Sequence, residues 1–413
     1  MKRRDFLKLA GALSMASCAT PAPSKARVVV IGGGFGGATA AKYIRLWDPK
    51  IDVVLVERDP AFISCPISNL VLAGFTGMQD ITRGYDGLRR HRVQVIQDEV
   101  TTIEPAKKTV RLASGGNIAY ERLVVSPGVD FIFGEIQGYE PAMQAGAVLH
   151  AWKAGPQTVA LRRQLEAMRD GGVYVLTVPL APYRCPPGPY ERISMVAAYL
   201  KQAKPRSKVL VLDANPDVTS KGGLFKRAWQ DLYQGIVEYR SNANVVGVGP
   251  GTVRTDFDTV RGDVLNVVPP HRAADIALKS GLITSNNRWC DVDWRTMESK
   301  AVKGVHVLGD ATLSAPGMPK SGSMANNHAK IAAAAIVDIL NGRSPEPLKI
   351  INTCYSFVAE KEAIRVSSVH EWEPGQGTLV AVKGSGGVSA ARSEAEATYA
   401  WNWARTIWAD SLA

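Results

Sequence analysis

Apolar residues along this chain come in short unbroken runs, each ending at a glycine or acidic turn and most followed by a helical stretch. That is the pattern of buried parallel strands alternating with helices. The run RVVVI at 27–31 leads into GGGFGG at 32–37 and a helical pattern over 38–46, and DVVLVE at 52–57 predicts the next strand. Further runs predict strands at 122–125, closing on a Ser-Pro-Gly turn, at 172–178, at 208–213, and at 302–308, closing on Gly-Asp. Helices are expected over 193–200 and 317–336. The strand, turn, helix, strand order thus occurs twice, at 27–57 and at 172–213. The fold class this implies is α/β with two Rossmann-like dinucleotide-binding-type domains.

The first turn carries chemistry. Gly32, Gly34 and Gly37 fit GxGxxG, whose positions need a tight turn, close backbone approach to a pyrophosphate and close helix-on-strand packing. The helix that follows offers N–H groups and the positive end of its dipole. Glu57 stands 20 residues beyond Gly37, where a carboxylate reaches adenosine ribose hydroxyls. The second unit has lost its glycines. Pro179, Pro182, Pro186, Pro187 and Pro189 surround Cys185 there, and prolines lack the N–H groups that a pyrophosphate needs. The scaffold of a second nucleotide site is therefore expected without its cofactor, so NAD(P)H is not expected to serve.

Five cysteines, Cys18, Cys65, Cys185, Cys290 and Cys354, are widely spaced. With neither CxxCH nor CxxC present, no haem on this chain and no metal site are expected. Structural disulfides or inert thiols are the plain reading of such cysteines in an exported protein.

The residues carry a resemblance. Pro127 and Gly128 after one strand, and Gly309 and Asp310 after another, are similar to the turns with which the flavin disulfide reductase superfamily returns to its cofactor, the Gly-Asp pair holding the ribitol of FAD. The helix expected over 317–336, which includes Lys320, would then turn its N-terminus toward the flavin ring and stabilise negative charge there. More specifically, FISCPISN at 62–69, YRCPPGPYER at 183–192 and NTCYS at 352–356 resemble the flavoprotein subunit of flavocytochrome c sulfide dehydrogenase, and the likeness runs along essentially the whole mature chain. It implies FAD joined through sulfur to Cys65, a redox-active disulfide of Cys185 and Cys354, and Glu191 managing protons beside it. Gly32, Gly34, Gly37, Glu57, Pro127, Gly128, Gly309, Asp310 and Lys320 would complete the cofactor set. Cys290 matches no motif and reads as a free buried thiol, and His328 as a satisfied helix histidine.

The resemblance further implies a glutathione-reductase-like fold, with an FAD-binding domain over 24–150 and 285–345. A second Rossmann-like domain over 151–284 and a smaller C-terminal cytochrome-interface domain over 346–413 would follow. It implies oxidation of sulfide to a persulfide, elemental sulfur or polysulfide, with electrons passing to a separate c-type cytochrome subunit. The alternatives are a membrane-associated sulfide:quinone oxidoreductase, and a catalytically inert protein that binds flavin and sulfur. Gly-rich turns at 374–377 and 383–387 with one short terminal helix make a weak membrane anchor, so Trp401, Trp403 and Trp408 read as core or interface packing.

The start of the chain gives a compartment. KRRDFLK at 2–8, a short apolar stretch and small residues toward Ala22 form a twin-arginine export signal over 1–23, too short to span a membrane. A periplasmic location follows, with ordinary cleavage favoured over lipid attachment at Cys18. The 413 residues, 46% of them hydrophobic, suffice for more than one core, and the net charge of +11 is dispersed, with no nucleic-acid motif.

Overall fold

The computed structural model describes residues 26–413; the expected export signal over 1–23, Cys18 and the expected cleavage near Ala22 lie outside the described residues. β1 (Ala26–Ile31) is the inner strand of the first sheet, with Val28, Val29 and Val30 completely buried. It runs through the glycine turn into α1 (Phe35–Trp47), which returns the chain to β2 (Ile51–Glu57), parallel to β1. A Cβ on Gly37 would stand 1.8 Å from the Gly32 carbonyl oxygen, and Gly32 has φ +94°. Helix and strand approach closely only because both positions lack side chains. α2 (Ser68–Ala73) follows the Cys65 loop, β3 (Gln94–Gln97) pairs with β2, and β4 (Arg122–Val125) with the other side of β1.

The chain then builds a second, parallel sheet. β5 (Val148–Leu149), β6 (Val173–Val178), β7 (Lys208–Asp213), β8 (Val237–Arg240) and β9 (Val264–Val267) stand in the order β5-β9-β6-β7-β8. α3 (Gly188–Ala203) connects β6 to β7, and α4 (Gly222–Leu232) connects β7 to β8. α3 begins five residues before the expected Ile193, because Pro189 sits in its first turn, where a missing N–H costs no hydrogen bond.

Afterwards the chain rejoins the first sheet with β10 (Val292–Asp293), β11 (Glu298–Ser299) and β12 (Val305–Val307), giving seven strands in the order β10-β11-β12-β4-β1-β2-β3. α5 (Gly322–Leu340) follows, its N-terminus capped by the Ser321 side chain, which accepts the Met324 N–H at 3.0 Å. His328 on α5 is buried as expected, accepting the Gly309 N–H at 3.2 Å and packing edge-on to Trp294.

The last part of the chain is an antiparallel sheet of β13 (Ile350–Ala359), β14 (Glu362–Glu373) and β15 (Thr378–Ala381), with β16 (Gly387–Val388) also on β14, covered by α6 (Glu394–Leu412). The terminal helix is 19 residues, longer than the short one expected. Ser393 caps it by accepting the Glu396 N–H, and Glu394 and Glu396 complement its dipole. Its end is locked onto α1 and α5: Asp410 accepts hydrogen bonds from Tyr43 at 2.5 Å and Asn326 at 2.7 Å, and pairs with Lys330 at 2.9 Å.

Candidate functional site

A cavity of about 690 Å³ opens where the two sheets and the C-terminal sheet meet. Its volume lies in the range of cofactor sites. At one end stand Gly32, Gly34 and Glu57, delivered by the β1 turn and the end of β2. Glu57 Oε2 accepts the Gly33 N–H at 2.5 Å and Oε1 the Asp59 N–H at 2.9 Å, which leaves lone pairs for a ligand hydroxyl. Gly37 does not line the cavity; it serves the packing of α1 on β1.

Pro127, Gly128, Gly309 and Asp310 line the cavity as well. Asp310 Oδ1 is buried without a partner among the described residues. Burial pushes its carboxyl above the ordinary carboxylate range, although Arg184 and Lys320 pull the other way. An orphaned acceptor facing a glycine-lined cradle fits the sugar-like chain and pyrophosphate of a flavin dinucleotide. Lys320 stands apart from the lining: its ammonium donates to the carbonyls of Asp310, at 3.1 Å, and Thr312, and lies 3.7 Å from the centre of the Trp289 ring. Burial there lowers its pKa to about 7.

Three cysteines reach the other end of the cavity. Cys65 comes from the loop before α2, Cys185 from the proline-rich turn before α3, and Cys354 from β13. Cys185 and Cys354, 169 residues apart in sequence, are held as separate thiols. Burial first, then Cys354 and Glu191, pushes the Cys185 thiol well above its usual range. Burial also raises Cys354, against the pull of Lys221. The fourth thiol, Cys290, is fully buried away from the lining, as expected, and burial pushes it up to about 12.

Glu191, in the first turn of α3, also lines this end. Its Oε1 accepts the Phe357 N–H and its Oε2 an N–H of Asn69, each at 2.7 Å. Burial nonetheless holds its carboxyl above the ordinary range. Asn69 is itself fixed by Arg192, whose Nε donates to its side-chain oxygen at 3.0 Å. Arg192 donates further to the carbonyls of His150 and Ala151 and lies 4.8 Å from the Trp152 ring centre. On β13's side, Lys221, left-handed with φ +56° before α4, donates to the Cys354 carbonyl at 3.2 Å and to Ser356 at 2.8 Å.

Arg184, Arg192, Asn69 and Lys221 were not among the residues expected from sequence. Three of them lie inside the cysteine-bearing motifs, so the signal was present as an arginine or asparagine flanking a cysteine or glutamate. Lys221 has no such signal, since only the fold brings it to β13.

Three family models match the chain: "Pyridine nucleotide-disulphide oxidoreductase" over residues 26–161, "Sulfide dehydrogenase [flavocytochrome c] flavoprotein chain, central" over 158–269, and "Flavocytochrome c sulphide dehydrogenase, flavin-binding" over 346–412. The sulfide dehydrogenase [flavocytochrome c] flavoprotein chain of Chlorobaculum thiosulfatiphilum is 64% identical over 45 residues, 11% of this chain and 94% of that one. The mitochondrial sulfide:quinone oxidoreductase of Mus musculus is 26% identical over 337 residues, 74% of this chain and 71% of its own. Among solved structures, the sulfide:quinone oxidoreductase from Aquifex aeolicus superposes with a TM-score of 0.75 at 20% identity, covering 93% of this chain and 91% of the other. At that identity the superposition speaks for the fold alone.

Proposed function

The chain belongs to the family of flavocytochrome c sulfide dehydrogenase flavoprotein chains, and from that premise we propose that it oxidises sulfide through a Cys185–Cys354 disulfide and passes the electrons to a c-type cytochrome. The observation that carries the reading is one cavity holding two cysteines from distant parts of the chain, a buried carboxylate, and a cradle suited to a flavin dinucleotide. Gly32, Gly34, Glu57, Gly128 and Asp310 would hold that cofactor, and Cys65 would bond it through sulfur. A bound flavin supplies an acceptor that takes electrons in pairs and releases them singly.

The protein's part is sulfur chemistry. Hydrosulfide attacks one sulfur of the disulfide; the S–S bond breaks, a persulfide forms on that cysteine, and the other leaves as a thiolate. A second hydrosulfide lifts the outer sulfur away as a disulfane, leaving two thiolates. Those two re-form the disulfide when an electron pair is withdrawn, so two hydrosulfides become one disulfane species and two electrons. Glu191, ionised once the pH exceeds its raised pKa, takes the proton of incoming hydrogen sulfide. The ammonium of Lys221, anchored on the strand of Cys354, offsets the charge of a departing thiolate.

The export signal supports a periplasmic setting, where a disulfide forms readily. Quinone as acceptor is the second reading, favoured by the sulfide:quinone oxidoreductases among the relatives. Cys185→Ser and Cys354→Ser are each expected to abolish sulfide-dependent cytochrome c reduction while the bound-flavin spectrum persists; turnover at the unmodified rate would make the cysteines structural.

A further inference from the structure

Two hydrogen-bond donors that the sulfide chemistry leaves unused converge on Cys65. Arg184 Nη2 lies 3.5 Å from its sulfur, and the Ala154 N–H donates to the same sulfur at 3.5 Å. The acceptor within reach of the thiol's own proton is the Trp152 carbonyl, at 3.8 Å. Both donors are aimed at one sulfur, and one of them is a cation, whose hydrogen bonds are the stronger kind.

The backbone of Arg184 is held at both polar atoms. Its N–H donates to Nδ1 of the buried His271 at 2.9 Å, and its carbonyl accepts the indole N–H of Trp152 at 3.2 Å. The next residue, Cys185, is left-handed at φ +60° and donates its own N–H to the Lys320 carbonyl at 2.9 Å. The guanidinium is therefore delivered to Cys65 by a clamped main chain. Burial works against its charge, but Cys65 first, then Asp310 and Cys185, hold it above the usual guanidinium range.

We infer that Arg184, with the Ala154 N–H, makes Cys65 the nucleophile that attaches the flavin, so that this arginine acts in maturation of the protein. The inference rests on the reading of Cys65 as the attachment residue. In that step the Cys65 sulfur bonds to a methyl carbon of the flavin ring system, and one C–H bond breaks. The proton and the bonding electron pair end on the ring, which is left two-electron reduced. Dioxygen then takes the pair with two protons and leaves as hydrogen peroxide. The arginine is needed before the carbon–sulfur bond exists; the thioether it faces afterwards is uncharged.

The test reads attachment directly. Wild type, Arg184→Met, Arg184→Lys and Cys65→Ala are produced aerobically and purified with their flavin. Acid precipitation separates covalent from released flavin, and intact mass reports whether Cys65 carries the adduct. Wild type is expected to retain flavin in the pellet and Cys65→Ala none. At matched times after synthesis, Arg184→Met is expected to bind flavin but show about tenfold less adduct, the effect of losing one charge-assisted hydrogen bond, with Arg184→Lys between the two. Equal adduct in wild type and Arg184→Met would overturn the inference. Should Arg184→Met fail to fold, adduct in Arg184→Lys below wild type at equal total flavin supports the inference and wild-type adduct overturns it. A wild-type chain that releases all its flavin would overturn the attachment reading itself, and with it the role of Arg184.

Discussion

Glu191 is where burial and hydrogen bonding pull in opposite directions. Burial wins, so the folded state binds its proton more tightly than the unfolded chain does around the ordinary value of 4.5. Stability from this group is fully present below that value and is lost as pH rises through the higher folded one. Its use as a base has the opposite sense, growing as pH rises through the same point. Glu191→Gln is therefore expected to slow sulfide oxidation about 100-fold, remove the acidic limb of the pH–rate profile and flatten the fall of stability with pH. An unchanged profile would exclude the carboxylate from proton transfer. Cys65, Cys185, Cys354 and Glu191 were legible because each sits in a motif that fixes a cysteine beside an aromatic residue, with prolines added around Cys65, Cys185 and Glu191, and the structure places all four at one cavity. Lys320 illustrates the limit. A lysine near a helix start can face a ligand or turn back, and here the carbonyls of Asp310 and Thr312 and the face of Trp289 capture it.

At the scale of elements, the parallel strands were legible because strands buried on both faces are nearly pure runs of valine, leucine and isoleucine. The antiparallel sheet of β13 and β14 was not, since its strands mix polar and apolar residues over 10 and 12 positions between Gly- and Pro-rich turns. α6 was taken as short because its stabilising contacts are tertiary: Asp410 meets Tyr43 on α1 and both Asn326 and Lys330 on α5. Burial opposes the charge of Asp410, but those hydrogen bonds prevail and hold its carboxyl below the ordinary range. Its contribution to stability is present above the unfolded carboxylate value and lost as pH falls through the folded one. Asp410→Ala is expected to cost about 1–3 kcal/mol at neutral pH and progressively less in acid, measured by denaturant unfolding across pH. Equal stability at neutral pH would show that α6 is held by its apolar face alone.

For the whole molecule the acceptor is the open chemistry. Among the described residues no helix is long and apolar enough to cross a membrane. Trp408 is buried beneath Arg83, whose guanidinium lies 4.2 Å from the ring centre, so this tryptophan is committed to packing. Trp403 lines the cavity, and its ring lies 6.3 Å from that of Tyr355. On the proposed reading, the sulfide-reduced protein is expected to reduce a c-type cytochrome readily and to remain in solution when mixed with zwitterionic lipid vesicles containing quinone, which exert no net charge attraction on a chain of net charge +11. Co-sedimentation with quinone reduction would favour the other acceptor. The coupling of cysteines to cofactor is tested most directly by an anaerobic sulfide titration of the flavin-loaded protein, followed by its flavin absorbance, beside the Cys185→Ser and Cys354→Ser variants. Bleaching in the wild type and none in either variant, with the colour returning as added cytochrome c is reduced, is the expected result. A wild-type spectrum that sulfide leaves unchanged, or variants that bleach as readily, would contradict sulfide oxidation through this cysteine pair.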